Sequence, residues 1–69
     1  MIKNDAKIRI IRVLKEYPEG LTVSKIAELA NLSRLTTSKY LAIMEVEKIV
    51  KFRKIGMAKL FKLKGVQNE

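Results

Sequence analysis

Sixty-nine residues hold one domain with a small core, near the lower limit at which a chain without staples folds alone. With no Cys and no His, disulfides, thiolate and imidazole metal sites, Cys nucleophiles and His-based acid–base chemistry are excluded together. Fifteen Lys and Arg against seven Asp and Glu leave a formal charge of +8, the excess expected of a chain that meets a polyanion, either nucleic acid or an anionic membrane.

In chain order, Asn4 caps a first helix over about residues 5–17, with Asp5 at the positive end of its dipole and Pro18 and Gly20 ending it. At about 100° per residue, Asp5, Arg9, Arg12 and Glu16 share one narrow solvated face, where Asp5 with Arg9 and Arg12 with Glu16 form i,i+4 pairs. The remaining arc carries two apolar stripes. Ile8, Ile11 and Leu14 make one; Ala6, Ile10, Val13 and Tyr17 make the other, nearly opposite. One core needs only one stripe. The second is covered within the domain, by Met1 and Ile2 or by the later strands, or it is a homodimer surface. The dimer is the preferred reading, because an exposed apolar stripe of this length is a liability in a soluble monomer.

Leu21 and Thr22 form a short extended segment, a minimal third strand for the later hairpin. From Thr22 to Leu41 the chain reads as two helices about a tight turn at Ala30, Asn31 and Leu32. Thr22 caps the first, over about residues 23–30, and Ser33 the second, over about 34–48, each offering a side-chain oxygen to unpaired backbone N–H groups. Val23, Ile26, Ala27 and Ala30 lie on one face; the small Ala27 permits close approach, and Asn31 tolerates a left-handed turn. Helix, tight turn and capped helix make a helix-turn-helix. In its second helix Thr37, Leu41, Met44 and part of Tyr40 turn inward, while Ala42, Ile43 and Val46 continue outward, Ile43 and Val46 packing under the hairpin or against a partner.

From Ile49 the period changes to two. Residues 49–54 and 59–64 read as antiparallel strands joined at Ile55-Gly56-Met57-Ala58, with Val50 and Phe52 matched to Phe61 and Leu63 on the core face. Leu60 falls on the outer face as a second interface candidate, and Gly65 to Glu69 is a frayed tail. The starting Met and this tail suggest a complete chain.

Between Lys51 and Lys64 the hairpin carries basic residues and no acid. Lysine on an edge strand discourages edge-to-edge pairing, which accounts for some of these residues but not for the missing acids. An enzyme has little support: Asp5, Glu16, Glu19, Glu28, Glu45, Glu47 and Glu69 form no obvious acid–base pair, and the glycines are too isolated for a phosphate loop. No catalytic residue, metal site, cofactor or small-molecule ligand is expected.

The stretch LTVSKIAELANLSRLTTSKYLAIMEVEKIVKF resembles the motif of prokaryotic winged-helix transcriptional regulators, the broad class that includes ArsR-like and MarR-like repressors. Ser33, Arg34, Thr36, Ser38, Lys39, Leu41, Met44, Ile49 and Val50 carry the match, which covers about residues 21–63. Two positions depart from it: Thr37 stands where these families usually bury Val or Ile, and Lys48 where they usually have Gly. The resemblance implies that the second helix of the motif is the recognition helix, that the hairpin is a wing, and that pairing often runs through the first helix. The expected fold is mainly α with a small β-hairpin (α+β): a single winged helix-turn-helix domain over residues 1–69, with three helices and a two- to three-stranded antiparallel wing at about 49–64.

Groove geometry divides the expected contacts with double-stranded DNA. Arg34 or Lys39 reads guanine O6 and N7, Thr36 and Ser38 bond to bases or phosphates, and Ser33 with its neighbouring amides takes a phosphate. Arg53, Lys54 and Lys59 supply affinity with little sequence information. Leu35 either faces out to a thymine methyl or packs on the preceding helix, Thr37 is core, and Tyr40 is half-buried with its hydroxyl toward a phosphate. The expected protein is a small homodimeric transcriptional regulator. With no apolar run long enough to span a bilayer and no signal peptide, it is expected to be cytoplasmic and nucleoid-associated, without a membrane partner. Two rivals stay open: an architectural protein of weak sequence preference, and a winged-helix adaptor that binds another protein.

Overall fold

A computed structural model describes residues 5–64 of the chain. The elements run α1 (Asp5–Glu16), α2 (Val23–Ala30), α3 (Arg34–Val46), β1 (Val50–Ile55) and β2 (Ala58–Leu63). The Asn4 cap, the cover by Met1 and Ile2, and the tail from Gly65 lie outside the described residues. Three helices and a two-stranded antiparallel hairpin make a winged helix-turn-helix.

Both expected caps of the motif form. The Lys25 N–H donates to Thr22 Oγ1 at 3.3 Å, and the Thr36 N–H donates to Ser33 Oγ at 3.0 Å. Helix α2 ends at Asn31, whose φ of 60° is left-handed. The Leu32 N–H then reaches back to the Ala27 carbonyl at 2.9 Å, so the turn that separates the two helices is closed by backbone bonds. Arg9 supports the same end from α1. Its guanidinium pairs with Asp5 at 3.0 Å and lies 3.4 Å from the carbonyls of Ala30 and Asn31, a cation at the negative end of a helix. The companion pair expected of Arg12 and Glu16 is not among the ion pairs of the described residues.

Helix α3 stops two residues earlier than expected, at Val46. Lys48 adopts a φ of 65°, the glycine-favoured region, without being glycine. The Ile49 N–H donates to the Met44 carbonyl at 2.8 Å and the Lys48 N–H to the Glu45 carbonyl at 3.0 Å. This paired bonding is the Schellman termination that ends a helix and redirects the chain, here straight into β1.

The core is built from every element: Ile10 and Leu14 of α1, Ile26 of α2, Leu41 and Met44 of α3, Val50 of β1 and Phe61 of β2. The assignment of the two α1 stripes is therefore corrected. Ile10, read above as a dimer residue, is 0 % exposed, whereas Ile8, read as core, is exposed. The reason is packing: α1 lies against α2, α3 and β2 together, so the buried arc centres on Ile10 and Leu14 and reaches Ile11 on one side. Ala6, Val13 and Tyr17 are its half-buried rim. Lys7 ties α1 to the end of α3 through Glu47 at 2.8 Å.

The strands pair as expected, with Val50 opposite Leu63 and Phe52 opposite Phe61, the two rings 5.4 Å apart at their centroids. The hairpin closes one residue tighter than expected: Ile55 and Ala58 are themselves paired, leaving Gly56-Met57 as the turn. Gly56, with a φ of 61°, occupies the first turn position, where a type II′ hairpin turn requires glycine. The third strand amounts to a single bridge, in which Leu21 and Phe61 exchange N–H donors at 2.9 and 2.8 Å. Gly20 makes that approach possible. At its φ of 104° a Cβ would sit 3.2 Å from the Phe61 carbonyl oxygen.

Candidate nucleic-acid interface

The capped start of α3 presents the first group of candidate residues. Ser33, Arg34, Ser38 and Lys39 are exposed, while Thr36 is half-buried and the least available of them. The Ser33 hydroxyl already accepts the Thr36 N–H, so its direct role is to hold the helix start. Thr37, Leu41 and Met44 face the core, with Tyr40 partly buried beside them. Opposite them, at the spacing i, i+4, i+7, i+11, stand Leu35, Lys39, Ala42 and Val46.

This outward face carries Ala42, Ile43 and Val46, as expected. Leu35 is 82 % exposed, which decides between its two expected placements: it faces out and does not pack on α2. Val46 is 81 % exposed and does not pack under the hairpin, while Ile43 is 40 % exposed. Lys39 lies with its ammonium 5.8 Å from the Tyr40 ring centroid, a contact that leaves its donors available.

The hairpin presents the second group, and it divides them between two faces. Lys54 and Lys59 stand directly opposite each other, on the face of Phe52 and Phe61 but nearer the tip. Arg53 lies on the other face, opposite Leu60, in line with the Lys51–Lys62 pair. There Lys51, Arg53, Leu60 and Lys62 surround a shallow depression of about 330 Å³ with Glu19 at its edge. Lys59 rests its ammonium 4.5 Å from the Phe52 ring centroid. Like charges directly opposite destabilise a strand pair, and this hairpin has two such pairs and no acid on either strand.

Among the described residues the ion pairs join Lys7 to Glu47, Arg9 to Asp5 and Lys25 to Glu28. None uses Arg34, Lys39, Arg53, Lys54 or Lys59. Arg12, Lys15 and Lys48 are outside these pairs as well, so what sets the hairpin apart is that its strands carry no acid at all. No cluster of metal-ligating side chains occurs among the described residues. Leu29 on α2 and Met57 at the hairpin tip are exposed apolar side chains outside the expected sites; for Met57 an apolar residue in a turn is the signal in the sequence.

Comparison with protein-family models matches residues 8–54 to the IclR helix-turn-helix domain. The matched span begins in α1, contains the whole helix-turn-helix, and ends within β1, ahead of the hairpin tip. A comparison with curated proteins finds no match. The resemblance to winged-helix regulators holds at the level of the superfamily, and the family is a different one from the ArsR-like and MarR-like repressors. With more than half of its residues matched, the chain belongs to the IclR helix-turn-helix domain family, whose business is DNA binding in transcription regulation.

Proposed function

We propose that the chain binds double-stranded DNA sequence-specifically, as a homodimer, with α3 in the major groove and the hairpin on the flanking backbone or minor groove. The observation that carries this reading is the acid-free hairpin, whose Arg53, Lys54 and Lys59 are exposed, together with the exposed Arg34 and Lys39 of α3, none of them in an ion pair among the described residues. Arg34 and Lys39 are assigned to base edges, Ser38 and Thr36 to bases or phosphates, and Ser33 to the phosphate beside the helix N-terminus. Arg53, Lys54 and Lys59 neutralise backbone charge. This is a binding role and not a catalytic one, and it places the chain at the nucleoid.

For the dimer, the rim residues Ala6, Val13 and Tyr17 remain assigned, without Ile10. Val13 adjoins the exposed Leu29 in a groove between α1 and α2 that also holds Arg9 and Arg12, a surface with room for a second copy. Two-fold pairing predicts a pseudo-palindromic operator with half-sites one helical turn apart.

The apolar outward face of α3 favours a second reading. Leu35, Ala42 and Val46 offer no hydrogen bonds to base edges, which suits an architectural protein of weak preference. Anisotropy of labelled duplexes, selected from a random pool and compared with scrambled duplex over a salt series, separates the two. Each neutralised phosphate contributes about −0.9 to the log–log salt slope, and a specific site binds about a thousandfold or more tighter than the scrambled one. A steep slope without discrimination leaves the architectural reading; negligible binding at moderate salt defeats both.

A further inference from the structure

We propose that the hairpin tip is a minor-groove wedge: Met57 enters between two base pairs and opens the step, while Lys54 and Lys59 behind it take phosphates, so that the chain bends the DNA it holds. This rests on the DNA-binding reading above.

Met57 is 100 % exposed, and Ile55, two residues before it at the end of β1, is 48 % exposed. A Cβ built on Gly56 would meet no atom within 4 Å, so the tip projects freely. The second position of a type II′ turn accepts polar residues without strain, and a large apolar one there lacks any role in this fold. The side chain is unbranched and flexible, the kind that proteins insert between base steps to kink a duplex.

The surroundings select the partner. Directly behind the tip, Lys54 and Lys59 are opposed in register, and the hairpin bears no acid to repel a phosphate. The minor groove is flanked by phosphates on both sides, so cations set directly behind a tip in the groove meet them. Both lysines project from one face of the hairpin, so a tip seated in the groove turns the pair together toward the phosphates that this face meets. An anionic lipid surface would also accept an apolar tip between lysines. DNA is favoured because the same chain carries the capped α3 and belongs to a DNA-binding family. The family match ends at residue 54, ahead of the tip.

The test uses the selected duplex with 2-aminopurine moved one step at a time across the site, together with end-labelled duplex for energy transfer. Wild-type protein is expected to raise the 2-aminopurine fluorescence severalfold at one step, best where that step is a flexible TA, and to shorten the end-to-end distance. Met57→Ser abolishes both signals and weakens binding about tenfold or less, with the salt slope unchanged; Met57→Leu retains them. Duplex bound with no responsive step, or a Met57→Ser protein that unstacks like wild type, overturns the wedge and leaves DNA binding intact. No duplex binding at low salt overturns the DNA reading itself, and capture by phosphatidylglycerol vesicles under those conditions reassigns the tip to a lipid surface.

Discussion

Lys54 stands opposite Lys59 across the hairpin, and the Lys59 ammonium rests 4.5 Å from the Phe52 ring centroid. The two lysines repel, but only one of them has a favourable contact inside the domain. Lys54→Glu therefore removes the repulsion and keeps the cation–π contact. The free domain is expected to gain about 0.5 kcal/mol, read as a rise in the urea midpoint, while DNA affinity falls. Stability and binding moving in opposite directions is the signature of charge kept for a ligand. If both fall, repulsion across this pair is not what the free domain tolerates.

Thr37 is fully buried in α3, and its Oγ1 has no hydrogen-bond partner among the described residues. A buried hydroxyl left unpaired costs about 1–3 kcal/mol, and Val has the same shape without it. Thr37→Val is expected to stabilise the domain by about 1 kcal/mol, raising Tm by about 4–8 °C in a domain of this size. DNA affinity should not change, because the side chain points away from the outward face. A lower Tm would mean that the hydroxyl is satisfied in solution.

Lys48 holds a left-handed φ of 65° where glycine would be unstrained. The Schellman bonds to Met44 and Glu45 hold the residue there. Lys48→Gly is expected to stabilise by about 1 kcal/mol, since the side-chain strain it relieves exceeds the extra chain entropy of glycine. Lys48→Ala should bring no gain, as alanine keeps the Cβ. Paired thermal melts of the two variants separate backbone strain from loss of the lysine charge.

How legible each element was in the sequence follows from how local its causes are. Thr22, Ser33 and Asn31 act within a few residues of themselves, so the helix-turn-helix was readable with its caps and its left-handed turn. The stripes of α1 were not. Ile8 and Ile10 are equally apolar, and the choice between them is made by α2, α3 and β2 closing over Ile10 and Leu14, which no local pattern records. Lys48 hid the end of α3 because its conformation is set by two backbone bonds and not by its own preference. At the candidate interface the charged residues were readable from the acid-free hairpin and Val46 from its place on the outward face, whereas the exposure of Leu35 depended on which side of α3 the core would take.

The α1 correction changes which substitution tests the dimer. Ile10→Lys places a charge in the centre of the core and is expected to destabilise by roughly 4 kcal/mol, a large part of the stability of so small a domain. It would report unfolding. Val13→Glu lies on the half-buried rim beside Leu29 and leaves the core intact. Light scattering of the folded Val13→Glu protein is expected to give the monomer mass, with circular dichroism unchanged. An unchanged dimer mass would remove this rim from the interface.

Base reading and backbone holding are separable because they sit on different elements. Arg34 and Lys39 project from α3, while Lys54 and Lys59 project from the hairpin. A good bidentate contact discriminates its base by about 1–3 kcal/mol, so Arg34→Ala or Lys39→Ala should narrow the gap between the selected site and its point variants at one or two positions. Lys54→Ala or Lys59→Ala should instead weaken binding to every duplex and lessen the salt slope by about 0.9 per lysine. The comparison is made on one panel of duplexes at one salt concentration, with Lys59→Ala corrected for its lost contact with Phe52. If both pairs weaken all sequences alike, α3 reads no bases through its cations, and whatever preference remains must come from Leu35 against thymine methyls or from the shape of the DNA.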